Sequence, residues 1–404
     1  MAKKKHKWLK FRHKVIRNVA YCILYPYARL KYNIKIRKFK EQEKRPYLIL
    51  LNHQTPFDQF FVGMSFKGPI YYLATEDIFS MGFLSKVIKY LVAPIPIKKQ
   101  TTDASAVMNC IRITREGGTI AIAPEGNRTY SGETLYMNPA IAPLARKLGL
   151  PILLYKIEGG YGAEPRWTDK VRRGRMEAYV SEVISPEEYK DLDNEQLMER
   201  IRKGLYVNEA KVDVPFKSNR RAEYLERAIY VCPFCGLSRF ESNRNEITCK
   251  GCGKEVIYNE DKTLTGKGFD LPFTFVKDWY DYQEDFINRL DLTPFYEKAL
   301  YEDESQLRQV IVYKKKILLR KKAAIKLYAN KLTIDENSEN RLILNFDEIS
   351  AISVLGRNKL NLYIADKIYQ FKGDKRFNAL KYVNIYFRYK NISRGDTNGK
   401  FLGL

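Results

Sequence analysis

Apolar and polar positions alternate in blocks over residues 46–205, and these blocks predict the fold of the first half of the chain. Four apolar runs have the length of buried strands: 47–51, 70–74, 119–123 and 152–157. The segments between them have helical periodicity, as at 103–116 and 138–148, with Asp103 as an N-cap and Gly117-Gly118 as a stop. Strands that alternate with helices predict an α/β fold, in which helices flank a mixed sheet.

After about residue 305 the pattern changes to short strand-like runs. Eight such runs are present: 308–313, 316–319, 324–328, 331–334, 342–346, 349–354, 359–364 and 367–371. A single helical run at 376–389 follows them. Many short strands and one helix predict a small β-barrel capped by a helix, which loosely resembles pleckstrin-homology (PH) or GRAM-like domains. Its basic runs at 314–316 and 320–322 are candidate contacts for lipid headgroups, and protein docking is the alternative.

Positive charge is concentrated at the start of the chain. The whole chain has a net charge of +24, and residues 1–45 hold sixteen Lys or Arg against two Asp or Glu, a net charge of +14. Bulky apolar residues lie between these cations: Trp8, Leu9, Phe11, Val15, Ile16, Val19, Tyr21, Ile23 and Leu24. This mixture is typical of helices that lie in the headgroup layer, so we expect basic amphipathic helices that bind an anionic membrane. A DNA-binding arm and a merely solvated lysine surface are the alternatives.

The apolar segments are too short or too interrupted to cross a bilayer. A spanning helix needs about 20 mainly apolar residues, whereas residues 19–30 contain Pro26 and Arg29 and residues 84–97 contain two lysines and two prolines. The basic flank and the lack of a small-residue cleavage site argue against a signal peptide. We therefore expect a cytoplasmic protein that is peripheral on the inner face of the membrane.

One histidine stands where α/β active sites form. His53 directly follows the first strand run, and Asp58 lies five residues later, past Pro56, which suits the first turn of a helix. A carboxylate there can orient the imidazole and stabilise its protonated form, so the two residues are a candidate acid/base pair. On spacing alone, the alternative is a structural histidine beside a helix N-terminus.

A second group of polar residues follows the third strand run. Glu125 and Arg128 flank a loop that Gly126 allows to turn tightly, and Arg128 can offer two donors to a phosphate. Glu125 is a candidate to bind a substrate hydroxyl or to hold the arginine. Lys99 follows an apolar segment between the two groups and supplies another cation.

Together these residues resemble the glycerolipid acyltransferase superfamily, which includes 1-acylglycerol-3-phosphate acyltransferases. Its Asn-His-x4-Asp block corresponds to Asn52, His53 and Asp58, and its Glu-Gly-x-Arg block to Glu125, Gly126 and Arg128. A Pro-containing apolar strand corresponds to 150–154, and Lys99 stands where the family usually has Arg.

The resemblance covers about residues 15–205 and implies the chemistry. His53 and Asp58 would be catalytic, and Asn52, Lys99, Glu125, Gly126 and Arg128 would bind substrate. The donor would be acyl-CoA or acyl-carrier protein, and the acceptor a lysophospholipid hydroxyl, with no catalytic metal. Because Lys99 lacks the bidentate geometry of Arg, the acceptor headgroup stays open.

Four cysteines in the second half of the chain predict a structural metal site. Cys232 and Cys235 form one C-x2-C pair, and Cys249 and Cys252 form another. Four thiolates at this spacing fit tetrahedral zinc in a zinc ribbon, and two disulfides are the alternative. Four protein ligands leave no open position, so the expected zinc is structural.

These patterns divide the chain into six segments: basic membrane-binding helices at 1–45, an acyltransferase domain at 46–225, a zinc ribbon at 226–262, a helical linker at 263–304, a PH/GRAM-like domain at 305–392 and a tail at 393–404. The predicted function is acyl transfer to 1-acylglycerol-3-phosphate in phospholipid biosynthesis.

One alternative is a remodelling acyltransferase with another lysolipid acceptor. The other is a zinc-ribbon factor that binds nucleic acid or protein and retains a vestigial acyltransferase domain. We do not expect nucleic acid as a partner, because the ribbon carries little net charge and lacks a basic aromatic face.

Overall fold

The computed structural model describes residues 7–41, 45–75, 78–97, 103–211, 214–311 and 314–396. The chain divides into two compact units. The N-terminal unit consists of Met1–Pro165 and Arg173–Glu209, and the C-terminal unit of Arg166–Arg172 and Ala210–Leu404. This division is coarser than the six predicted segments, whose boundaries stay predictions.

The N-terminal unit alternates strands and helices as predicted. In chain order its described elements are α1 (Phe11–Tyr32), β1 (Ile34–Ile36), β2 (Leu48–Leu51), α2 (Asp58–Ser65), β3 (Ile70–Thr75), α3 (Phe83–Val92), β4 (Ile95–Ile97), α4 (Ala104–Arg115), β5 (Thr119–Ile122), α5 (Ile141–Leu148), β6 (Ile152–Glu158), α6 (Gly160–Ala163), β7 (Met176–Ile184), α7 (Pro186–Tyr189) and α8 (Asn194–Leu205). The predicted strands are confirmed within one or two residues at each end.

These strands form a mixed sheet in the order β1-β7-β6-β2-β5-β3-β4. Strands β6, β2, β5, β3 and β4 run parallel, whereas β7 is antiparallel to β6. All four residues of β2 are buried, as expected of a strand with neighbours on both sides. The carboxyl ends of β2 and β5 are adjacent, so the segments that follow these strands meet at one edge of the sheet.

Local signals at helix ends act as predicted in α4. The Asp103 side chain accepts hydrogen bonds from the backbone N–H groups of Ser105 and Ala106, at 3.0 and 3.1 Å. The helix ends at Arg115, and Gly117 then takes a φ of +86°, which an L side chain tolerates poorly. Pro56 does not stand in the first turn of α2, because that helix begins at Asp58.

The C-terminal unit consists mainly of antiparallel strands. Its described strands and α-helices are β8 (Val231–Cys232), β9 (Gly236–Leu237), β10 (Phe240–Asn243), β11 (Glu246–Cys249), β12 (Glu255–Tyr258), β13 (Leu264–Gly266), α9 (Val276–Arg289), β14 (Tyr301–Val310), β15 (Lys316–Leu327), β16 (Lys331–Ile334), β17 (Leu342–Asn345), β18 (Ile349–Leu355), β19 (Lys359–Ile364), β20 (Lys367–Gly373) and α10 (Leu380–Ser393). Strands β10 to β13 form one antiparallel sheet, and β8 pairs with β9.

The last strands form a curled antiparallel sheet in the order β17-β16-β15-β14-β20-β19-β18. Among the described residues its hydrogen bonds run from β17 at one edge to β18 at the other, so it is a half-barrel rather than the predicted barrel. Two predicted runs merge into the single strand β15, which pairs with β14 from Tyr301 to Val310. Two register shifts, at Ser305/Leu307 and Leu307/Arg308, leave the extra residues on β15 as bulges. The closing helix α10 is largely buried, and its Tyr386 hydroxyl donates to the Ile349 carbonyl at 2.9 Å.

None of the helices in the described ranges combines the length and the apolar content that crossing a membrane requires.

Candidate active site at the carboxyl edge of the sheet

His53 and Asp58 lie in direct contact in the turn between β2 and α2. The imidazole Nδ1 is 2.7 Å from Asp58 Oδ2. The His53 side chain keeps about 27% of its surface exposed, whereas the Asp58 residue has no accessible surface. The ring is therefore held on its inner side by a buried carboxylate and is open to a substrate on its outer side.

The Asp58 carboxylate accepts three hydrogen bonds besides the one to His53. They come from the backbone N–H of Gln54 at 2.7 Å, the backbone N–H of Thr55 at 3.0 Å and the Thr55 hydroxyl at 2.7 Å. Hydrogen-bond donors of this kind offset the free-energy cost of removing an ionised carboxylate from water. Because such a carboxylate only accepts, Nδ1 carries the proton and Nε2 presents a lone pair.

The Thr55 hydroxyl is a functional group that the sequence reasoning missed. It donates to the Asp58 carboxylate that holds the His53 ring, and the residue is fully buried. A signal existed in the sequence, since a Thr three residues before an Asp at the start of a helix is placed to bond with it.

Asn52 connects this turn to the neighbouring strand. Its side-chain Nδ2 donates to the Ile157 carbonyl and its Oδ1 accepts from the Ile157 N–H, both at 2.8 Å. The residue is fully buried. Its predicted role in substrate binding stays a prediction, and the structure gives it a positioning contact that fixes the loop against β6.

Glu125 joins the second predicted group to the first. Its Oε1 accepts the backbone N–H of His53 at 2.9 Å, and its Oε2 accepts that of Leu135 at 2.8 Å. Burial raises the pKa of the Glu125 carboxyl to about 8, although the two N–H donors lower it. The structure therefore brings together the two motifs, 72 residues apart in sequence, through one hydrogen bond.

The loop after β5 also places Gly126 and Arg128. Gly126 has a φ of +67°, in the left-handed region that favours glycine, as the predicted tight turn requires. Arg128 is in the same loop, with only 9% of its surface exposed. Its predicted phosphate contact stays a prediction. Lys99 lies outside the described residues, beyond the end of β4.

The four predicted metal ligands converge in the C-terminal unit. The thiol sulfurs of Cys232, Cys235, Cys249 and Cys252 all lie within 4.8 Å of one another. The Cys232–Cys252 and Cys235–Cys249 Sγ distances are 3.7 and 3.5 Å, and the four thiols are free. Zinc–sulfur bonds of about 2.3 Å in a tetrahedron place sulfurs at about this separation, so the donor set fits zinc.

Comparison with known proteins concerns the segment that contains His53, Asp58 and Glu125. Residues 2–155 match the family model described as Acyltransferase. This segment, which is less than half of the chain, is similar to acyltransferase-family domains. The match includes Asn52, His53, Asp58 and Glu125, and it confirms the resemblance on which the predictions were based.

A curated 1-acyl-sn-glycerol-3-phosphate acyltransferase from Borreliella burgdorferi is similar to part of the acyltransferase domain. It is 27% identical over 118 residues, which are 28% of this chain and 47% of that protein. The chain thus spans about half the length of the curated relative that it matches.

Two solved structures also show a partial likeness. The 1-acyl-sn-glycerophosphate acyltransferase PlsC from Thermotoga maritima has a TM-score of 0.37 and 18% identity, over 48% of this chain and 75% of its own. The N-terminal PH domain of human ARAP2 has a TM-score of 0.18 and 12% identity, over 24% of this chain and 84% of its own.

The raised pKa of Glu125 predicts a specific pH dependence of stability. The unfolded chain ionises this group near pH 4.3, whereas the folded protein holds its proton up to about pH 8. The folded state therefore binds the proton more tightly, and this contribution to stability is lost as pH rises between those values. Relative to Glu125→Gln, the free energy of unfolding of the wild type should fall by a few kcal/mol across this range. Urea unfolding of the wild type and of Glu125→Gln at several pH values measures the two free energies of unfolding. A difference between them that does not change with pH would contradict the raised pKa of Glu125.

Proposed function

We propose that this protein transfers a fatty acyl group from acyl-CoA or acyl-carrier protein to the hydroxyl of a lysophospholipid, with 1-acylglycerol-3-phosphate as the first acceptor to test. The observation that carries the proposal is the hydrogen-bonded His53–Asp58 pair at a sheet edge, with Glu125 bound to the same turn. The acyltransferase family match over residues 2–155 supports it.

The geometry supports direct transfer by general base catalysis. Nε2 of His53 takes the proton of the acceptor hydroxyl, and Asp58 stabilises the imidazolium that forms. The acceptor oxygen attacks the thioester carbonyl carbon and forms a C–O bond. The resulting tetrahedral intermediate then breaks its C–S bond, and the imidazolium returns its proton to the leaving thiolate. No step requires a metal.

The remaining residues of the two motifs would position the reactants. Arg128, a cation in the loop that follows β5, would bind the phosphate of the acceptor, and Lys99, which follows β4 in the sequence, would be a second phosphate ligand. Glu125, Gly126 and Asn52 would hold the loops on which the substrate rests. In this role Glu125 acts through the His53 backbone, whose N–H its carboxyl group accepts.

We also propose that α1 and α3 bind the anionic inner surface of a membrane as a peripheral contact. Apolar residues of α1 are exposed at intervals of three or four: Phe11, Val15, Val19, Ile23, Tyr27 and Leu30. Helix α3 exposes Phe83, Leu84, Tyr90, Leu91 and Val92. The two helices meet where Arg12 donates to the Tyr90 carbonyl at 3.0 Å. Exposed apolar side chains beside a basic segment suit insertion below lipid headgroups.

The four converging cysteines would hold a structural zinc ion. Bound zinc would tie β8 and β9 to the end of β11, and its binding energy of about 10 kcal/mol or more would stabilise this small module. Farther along the chain, the basic runs at 314–316 and 320–322 remain candidate contacts for lipid headgroups or for protein.

The first test removes the base. His53→Ala should lower the rate of acyl transfer by about 10³-fold, because the acceptor hydroxyl loses its proton acceptor. Asp58→Asn should also lower it, whereas Asp191→Asn, the same change at an exposed position, should not. The assay is a screen of lysophospholipid acceptors with a labelled acyl thioester, followed by mass analysis of the lipid product. Full activity in His53→Ala would refute the mechanism, and the acceptor used best separates biosynthesis from remodelling.

The second test concerns the membrane. Ile23→Asp should weaken binding to anionic vesicles by about tenfold or more, because a charge replaces an exposed apolar side chain on α1. The matched control is Ile392→Asp, at an exposed isoleucine of α10, which should bind as the wild type does. Vesicle flotation at physiological salt measures the effect. Tight binding to DNA or RNA without vesicle binding would favour the nucleic-acid alternative.

The third test concerns zinc. Purified wild type should contain about one zinc per chain, and Cys249→Ser should lose it together with thermal stability, since three thiolates hold the ion less tightly. Cys22→Ser changes an exposed cysteine on α1 and should retain the metal. Elemental analysis provides the measurement. Retention of zinc in Cys249→Ser would argue against this site.

A further inference from the structure

The side chain of Gln54 is buried in the turn that carries His53, and its amide makes no hydrogen bond. Only 1% of the residue surface is exposed. Its Nε2 and Oε1 are both enclosed, and neither forms a hydrogen bond with any residue in the described ranges of the chain. Burying an amide without a partner costs free energy, because its hydrogen bonds to water are lost and not replaced. The turn after β2 therefore carries a polar group for which the free protein supplies no partner.

Gln54 is the exception among the buried polar side chains of this turn. Asn52 forms two hydrogen bonds with Ile157, and the Thr55 hydroxyl donates to Asp58. The Asp58 carboxylate accepts from two backbone N–H groups as well. Because these three side chains are satisfied within the protein, the unpaired amide of Gln54 indicates a contact with a bound molecule.

The chain that bears this amide is fixed from two sides. The Gln54 backbone N–H donates to Asp58 Oδ2 at 2.7 Å, and the same oxygen lies 2.7 Å from Nδ1 of His53. On the other side α6 begins at Gly160, where a methyl group in place of hydrogen would lie 2.5 Å from Gln54 Cβ. The amide and the proposed base thus belong to adjacent residues, whose Cα atoms are about 3.8 Å apart.

An unpaired carboxamide offers both a hydrogen-bond donor and an acceptor. The pantetheine arm of a thioester donor carries secondary amides, whose N–H and carbonyl groups supply both kinds of partner. The first of these amides is separated from the thioester sulfur by a short ethylene link, so it lies close to the carbonyl carbon that the acceptor attacks. In 1-acylglycerol-3-phosphate, by contrast, the ester and the ionised phosphate only accept, and the hydroxyl is the reacting group. The pantetheine arm is therefore the better complement of the Gln54 amide.

We propose that the Gln54 amide binds the pantetheine arm of the acyl donor through hydrogen bonds to its secondary amides. This assignment rests on the proposed function, because a thioester donor is what brings the arm to the site. Acyl-CoA and acyl-carrier protein share the arm, so either can supply it. Because the amide is enclosed in the free protein, the donor has to displace α6 from Gln54. That helix is a single turn, and Gly159 and Gly160 at its start are suited to act as a hinge.

The test compares two synthetic donors of the same acyl group with the wild type and with Gln54→Met. The N-acetylcysteamine thioester retains the first amide of the arm, whereas the S-pentyl thioester has a chain of the same length without an amide. The wild type should use the amide donor with a kcat/KM about tenfold or more higher. Methionine is unbranched and close to glutamine in size but has no amide, so Gln54→Met should lose most of this preference. Equal use of the two donors by the wild type, or a preference that Gln54→Met retains, would overturn the proposal.

Thermal unfolding separates a role in binding from a role in the fold. Removing an unpaired amide from the interior should leave the melting temperature of Gln54→Met at or above that of the wild type. Gln54→Leu, which also lacks the amide but has a different shape, repeats the measurement. A clear decrease in both variants would show that the amide has a partner inside the protein and would overturn the proposal. The matched control is Gln309→Met, the same change at a partly exposed position of β14, which should keep both the donor preference and the melting temperature.

Natural donors identify the source of the arm. Acyl-CoA and acyl-carrier protein with the same acyl chain are compared at equal concentration, and Gln54→Met should lower kcat/KM about tenfold with the donor that the wild type prefers. An unchanged kcat/KM with both donors would overturn the binding role of Gln54 and leave the proposed function standing. Acyl transfer from neither donor by the wild type would reject the proposed function itself, and the role of Gln54 with it.

Discussion

Asp58 has no accessible surface, and its carboxylate must find all its hydrogen-bond partners within the turn that follows β2. Two backbone N–H groups, a hydroxyl and the His53 ring supply them. A buried carboxylate without such donors costs several kcal/mol, so the turn is constrained to the one conformation that provides them. That conformation also directs the free nitrogen of His53 outward. The position of the His53 ring therefore depends on the hydrogen bonds that replace water around the buried Asp58 carboxylate.

A second buried acidic side chain holds the same turn from the other side. Glu125 accepts the N–H of His53 with one oxygen and that of Leu135 with the other, so the loop after β5 is tied to the turn after β2. The two acids thus position different parts of His53: Asp58 orients the ring, and Glu125 holds the backbone. This division explains why two motifs far apart in the chain form one site.

The C-terminal unit places its charges differently. The ammonium of the buried Lys381 lies 2.6 Å from the Asp303 carboxylate, and Glu226 is paired with Arg376. Pairing of this kind compensates for the removal of both charges from water.

The sequence by itself determined several local features: the strand β2, the N-cap of α4 and the convergence of the four cysteines. The apolar run at 48–51 is long enough only for a buried strand, Asp103 caps α4 through its own side chain, and the spacing of the cysteines suits one tetrahedral ion. Such signals involve only residues close together in sequence, so they can be recognised before the fold is known.

Tertiary structure decided the rest. The bond from Glu125 to His53, the contact of Asn52 with Ile157 and the joining of two predicted runs into β15 all depend on which strands become neighbours. Strand order is set by packing across the whole sheet, and no single segment of sequence specifies it.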